Sequence, residues 1–243
     1  MDTGKIDRAG SPKKSEVALA KLAAVVAAKH PLATLEKIAK NFPEIRSFTL
    51  VAYQRQNDEY GTQFRDRETY EVAAENIVKE GARLMLEAAT NGCDMVIDSR
   101  VQVRGSSGDM ERHIPMFDWA LPTNNRNLTM ALSIEGGQSG GPHTFEECVC
   151  FVPGDMDIYE SGRSYHSYCT TKLMDRENWL KFLGGLLVLP ELDLPLIGRQ
   201  PIADARWVGH RLMQGSGALR ITATNPHYLK VPELIKNPSE VTF

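Results

Sequence analysis

No stretch of this 243-residue chain approaches the roughly 20 consecutive apolar residues that a membrane-spanning helix requires, so no helical membrane anchor is expected within it. A net basic charge is lacking as well. The 28 Lys and Arg are outnumbered by 31 Asp and Glu, giving a formal charge of −3 at pH 7. No global positive field therefore advertises duplex binding, and any contact with nucleic acid has to come from a local group of cations. Cysteine is scarce: Cys93, Cys148, Cys150 and Cys169 are the four present. The opening MDTGKIDRAGSPKK has no apolar signal core, so reduced thiols, a cytoplasmic address and a disordered tail over residues 1–14 are the expectation. Internal repeats are absent too. What is present is an ordinary globular composition, 42% hydrophobic and 24% charged, in a chain long enough for one large domain or two small ones.

The periodicity predicts helices first. Ser15 can cap a helix running to His30-Pro31, and ATLEKIAK (33–40) forms a second, shorter one. Residues 46–54 are rich in β-formers and predict a strand. From Asp66 a long amphipathic helix is expected, with Val72, Ala73, Ile77, Ala82, Leu84 and Leu86 on its apolar face and Asn91-Gly92 as its stop. The period then changes to two. Residues 95–104 and 112–121 predict a hairpin around GSSGD, 122–144 a loop, and 156–173 two strands around Ser161-Gly162-Arg163. Asp175 can cap a helix beginning at Arg176, and a short helix at 204–213 precedes a strand at 218–224. Helices followed by strands with inserted helices predict an α+β fold.

Three segments carry the residue types of phosphate and metal chemistry. On a strand at ESGRSYHSY (160–168), Ser164, His166 and Tyr168 share one face, and the Ser161-Gly162 turn with Arg163 can meet an anion above it. That constellation is either a triphosphate cradle or a surface hairpin with a half-buried histidine. In HIPMFDWA (113–120), Asp118 ends an apolar strand, where a carboxylate needs a cation or a donor. In ADARWVGHRL (203–212), Asp204 either caps a helix or ligates a metal. Arg206, Arg211 and Arg220 either line a basic groove near Asp204 or are solvated surface arginines. His143, Cys148, Cys150 and Cys169 could hold zinc, but the C-x-C thiols read better as core packing. GGQSGGP (136–142) lacks the Lys-Ser/Thr of a phosphate-binding P-loop and reads as a loop.

The order of an Asp on a strand, S-x-H on a hairpin and a later Asp resembles the motif order of the archaeo-eukaryotic primase superfamily. Ser164-Tyr165-His166 resembles its second motif, HIPMFD its first and Ile202-Ala203-Asp204 its third. The stretch from Asp204 to Thr222 is similar to bacterial primase-like domains found near mobile-element or defence loci, often within larger complexes. The resemblance covers roughly residues 93–230. It implies a primase-like mixed sheet with flanking helices over that span, preceded by a helical or αβ region at 15–92 and followed by an irregular tail at 231–243. It also implies nucleotidyl transfer onto DNA or RNA from a nucleoside triphosphate. Mg2+ or Mn2+ would be held by Asp118 and Asp204, and the phosphates by Arg163, Ser164 and His166. The family's first motif usually carries a second acid two residues on, and Ala120 stands there instead. Asp155, Asp157 or Glu160, just before the hairpin, could supply a replacement, with Asp157 the candidate metal ligand.

Overall fold

The structure is a computed structural model that describes residues 29–55, 64–123, 155–189, 191–194, 198–223 and 230–235. Helix α1 (Pro31–Asn41) covers the expected 33–40 helix and starts two residues before it. Pro31 occupies the first turn, His30 Nδ1 accepts from Leu32 N at 3.2 Å, and Leu32, Leu35 and Ile38 are buried at one-turn spacing. Strand β1 (Ile45–Arg55) pairs antiparallel with β2 (Phe64–Ala73). The helix expected from Asp66 to Asn91-Gly92 is thus corrected to a strand over 66–73, and its helical part begins at Ile77. FRDRETYEVA brings Phe, Thr, Tyr and Val to an extended edge beside β1, and β pairing wins over the weaker helical period. A 3₁₀ turn (Ala74–Asn76) leads into α2 (Ile77–Thr90), which buries Ile77, Leu84, Met85 and Ala88 and ends at Asn91-Gly92.

Strands β3 (Asp94–Gly105) and β4 (Gly108–His113) make the expected hairpin. The second arm stops earlier than 121, because Ile114-Pro115 breaks the ladder. The chain then re-enters as β5 (Met116–Asp118) in a different sheet. Further on come β6 (Met156–Glu160), β7 (Tyr165–Cys169) and α3 (Arg176–Leu187), the last capped by Asp175, whose carboxylate accepts from Asn178 N at 2.9 Å. A hairpin of β8 (Glu191–Leu194) and β9 (Gly198–Pro201) precedes α4 (Ala205–Gln214), β10 (Ala218–Arg220) and β11 (Glu233–Leu234).

Among the described residues the strands form two larger antiparallel sheets and the separate two-stranded β8–β9 hairpin. Of the larger two, one has the order β10-β3-β1-β2 with β4 added beside β3, and the other β11-β6-β7-β5. The alternate residues Phe48, Leu50 and Ala52 of β1 and Met95, Ile97, Val101 and Val103 of β3 pack with α1 and α2 in one core. Phe117, Ile158 and Tyr165 of the second sheet pack with Trp179, Phe182, Leu183 and Val208 of α3 and α4 in another. The protein is therefore α+β, with strands β1 and β2 in the same sheet as β3 and β10. Among the described residues no helix is long and apolar enough to cross a membrane. The expected N-terminal tail and helix, the loop from 124 onward, His143, Cys148 and Cys150 lie outside the described residues. Cys169 is buried in β7.

Candidate functional site

A cleft of about 740 Å³ opens between the sheets. Its first wall is the face of the β1–β3 sheet turned away from the α1–α2 core, where alternation aligns Val96, Asp98 and Arg100 of β3 with Val51 and Tyr53 of β1. The second wall is built by β5, β7 and α4.

Register places the residues of the second wall. Asp118 lies directly opposite His166 in the β5–β7 ladder, with Asp118 Oδ1 3.7 Å from His166 Nε2. The segment after Asp118 is stitched by main-chain bonds to the segment before α4. Ala120 N donates to Ile202 O at 2.9 Å, Asp204 N donates to Asp118 O at 3.0 Å, and Trp119 bridges Ala203. Asp204 is the N-cap of α4, its Oδ1 accepting from Arg206 N at 2.9 Å and Trp207 N at 3.2 Å. From there Trp207, Arg211 and Gln214 follow along one helical face into the cleft. The turn before β7 is closed by Ser161 N donating to Ser164 O at 2.9 Å, and it needs Gly162 at φ +112°. Exposed Arg163 and half-buried Ser164 line the cleft at this turn, and Arg163 has no ion pair among the described residues.

The ionisation of the central pair is inverted. Burial, then the nearby Asp204 carboxylate, pushes the Asp118 carboxyl up to about 8, although Arg220 and Arg211 pull it the other way. Burial and the Arg220 charge push the His166 imidazole down to about 3. His166 Nδ1 and the Tyr168 hydroxyl are buried without a hydrogen-bond partner among the described residues. Arg220 is itself buried, with Nη2 donating to Ser161 O at 2.8 Å and Nη1 to Thr222 O.

The structure thus brings Asp118, Arg163, Ser164, His166 and Asp204 to one cleft and does not bring Asp157 there. Asp157 sits at the β6 row opposite Tyr168, where Thr34 Oγ1 donates to it at 2.6 Å and Lys37 Nζ pairs with it at 2.8 Å. Of the other replacement acids, Glu160 pairs with Lys230 at 2.9 Å, and neither it nor Asp155 lines the cleft. Among the candidate basic residues Arg211 and Arg220 line the cleft and Arg206 does not. Asp98, Arg100 and Trp207 were not singled out from the sequence. The signal for Asp98 was there: it is a lone acid in the alternating strand MVIDSRVQVR, the same anomaly that marks Asp118. Asp118 and Asp204 offer hard oxygen donors suited to Mg2+ or Mn2+, and the nearby Asp204 carboxylate adds to the burial that raises the Asp118 carboxyl. No group of three or more His, Cys, Asp or Glu side chains that could hold a metal occurs among the described residues.

Fold and cleft together define an α+β two-sheet domain with paired acids and an S-x-H strand between the sheets. A family model described as archaeo-eukaryotic primase 1D-like matches residues 73–233, and the chain belongs to this primase family. No curated protein and no solved structure gives a match.

Proposed function

We propose that the cleft binds a nucleoside triphosphate and transfers its nucleotidyl group to the end of a DNA or RNA strand. The observation that carries this reading is the meeting of Asp118, His166 and Asp204 on one wall, from three separate segments, in a chain of the primase family. In the transfer, the strand's terminal hydroxyl oxygen bonds to the α-phosphorus, the bond to the bridging oxygen breaks, pyrophosphate leaves and the hydroxyl proton passes to solvent. Asp118 and Asp204 would hold Mg2+ or Mn2+, which supplies positive charge for the leaving phosphates. The chain's own part is to orient. Arg163 and Ser164 offer donors to phosphate oxygens at the rim, and His166, hydrogen-bonded to the Arg220 backbone, forms the floor below them beside Asp118.

Primer extension with Mg2+ or Mn2+ tests the reading. Asp118→Asn should lower the rate about a hundredfold or more. Extension that survives this change removes both acids from the proposal. In calorimetry, His166→Ala and Arg163→Ala should each weaken triphosphate binding about tenfold, as loss of a charge-assisted or buried contact does. Unchanged affinity in both would dispose of the cradle.

One observation favours a second reading, a binding module that holds a nucleotide or a nucleic-acid end within a larger, mobile-element or defence complex. Ala120 lines the cleft where the family pattern has an acid, and the cleft's other carboxylate, Asp98, is committed to Arg100 and Ser216, so no metal-holding group of three forms among the described residues. A wild type that binds triphosphate yet extends no primer, and gains metal affinity through Ala120→Asp, selects that reading.

A further inference from the structure

We propose that Arg100 is a nucleic-acid contact, a guanidinium fixed by Asp98 on the β3 wall and presented to a backbone phosphate of the strand that shares the cleft with the triphosphate. The inference rests on the nucleotidyl-transfer reading and supplies the partner of the wall which that reading leaves unused. Asp98 is buried, and both of its oxygens are committed. Oδ1 accepts from Arg100 N and Nε, each at 2.9 Å, and Oδ2 accepts from Arg100 Nη2 and Ser216 Oγ, each at 2.9 Å. Such a carboxylate has little capacity left for a cation, so its work is to aim the arginine and to tie the end of α4 to β3.

A guanidinium has five N–H donors. Two of them go to Asp98, leaving three, on a side chain that is 40% exposed and lines the cleft. A planar fork with its orientation set and its outer donors open is the arrangement that meets phosphate oxygens in pairs. Around it, Val51, Tyr53 and Thr69 of this wall are uncharged; of the nearby acids, Glu71 of β2 accepts from Ser47 and the Glu111 carboxylate on β4 acts on Arg100 itself. The groups assigned to the triphosphate, Arg163, Ser164 and His166, all belong to the opposite wall. Transfer requires two phosphate-bearing substrates side by side, and Arg100 is placed for the second.

The test is fluorescence anisotropy with a labelled single-stranded oligothymidylate of about 12 nucleotides, alongside calorimetry with deoxythymidine triphosphate and Mg2+. Arg100→Lys keeps the charge but loses the fork, and Arg100→Gln loses both. Each should weaken oligonucleotide binding about tenfold or more while leaving triphosphate affinity unchanged. Asp98→Asn should also weaken the oligonucleotide. The double variant Asp98→Asn/Arg100→Gln, which removes the buried charge together with its partner, should be no weaker than Arg100→Gln alone. Additive losses in the double variant would mean that Asp98 acts on the fold and not through Arg100. Unchanged oligonucleotide affinity in both Arg100 variants, or an equal fall in triphosphate affinity, overturns the proposal. A wild type that binds triphosphate but no oligonucleotide sinks this inference and leaves the nucleotide site standing. One that binds oligonucleotide through Arg100 but no triphosphate sinks the nucleotide site instead.

Discussion

Asp118 and His166 face each other across a strand pair with the proton on the unexpected partner. The folded Asp118 carboxyl keeps its proton up to about 8, whereas an ordinary aspartate releases it near 3.8. Between those values the native state holds a proton that the unfolded chain has lost, so stability falls as pH rises through that window. Below about 6.5 the buried histidines act in the opposite sense, so metal-free thermal melting from pH 7 to 8 should show this decline in the wild type and a flatter profile in Asp118→Asn. A divalent cation should oppose the decline, because it binds the ionised form. An identical pH profile in wild type and variant would show that Asp118 does not carry the shift. At this scale the sequence was informative where an acid broke an apolar strand, as at Asp118, and where alternation put Ser164 and His166 on one face. It was silent on Arg100, because nothing in an alternating strand says which polar face will meet a second sheet.

At the scale of elements, each capping carboxylate has a separable role. Asp175 caps α3 in a position remote from the cleft, and Asp175→Ala should lower the urea midpoint, leaving nucleotide affinity alone. Asp204 caps α4 within the cleft. Asp204→Asn retains an acceptor for the Arg206 and Trp207 amides but removes the charge, so it should unfold close to the wild type while losing metal-dependent triphosphate binding. A stability loss equal to that of Asp204→Ala would show that the charge, not the cap, holds the helix. The two roles between which the sequence could not choose are compatible here, since the described cap engages one carboxylate oxygen. The elements themselves were legible where caps and periods agreed: α1, α3, α4, the β3–β4 hairpin and the β6–β7 pair. They were misjudged where long-range pairing decides. β2 has a helix-compatible period and becomes a strand only because β1 lies beside it, and Pro115 hands the chain from one sheet to the other.

For the molecule as a whole, the three buried histidines among the described residues bear on the acid limit. Burial lowers His30 and His113 to about 4 and His166 to about 3, each from an ordinary value of 6.5. As pH falls below 6.5 the unfolded chain gains protons that the folded protein refuses until about 4, so stability drops across that interval. Urea midpoints should therefore decline between pH 7 and pH 5. His30→Gln should lessen the slope while lowering the plateau, because His30 Nε2 meets Ile221 O at 2.9 Å and its Nδ1 caps α1. A slope untouched by the change would remove His30 from the count. None of this was visible in the sequence, since burial of a histidine depends on which sheet covers it.

The main-chain bonds that join residues 118–120 to 202–204 have a consequence for how this protein can vary. The separation of its two candidate acids is dictated by amide and carbonyl groups that every residue type except proline carries in full. Substitution along either segment can therefore exchange chemistry, as Ala120 illustrates, without moving the partners apart. Such a frame accepts either Ala or an acid at position 120 with the scaffold unchanged. Proline at position 120 or 204 is the change it does not absorb, because each of those amides donates one of the joining bonds.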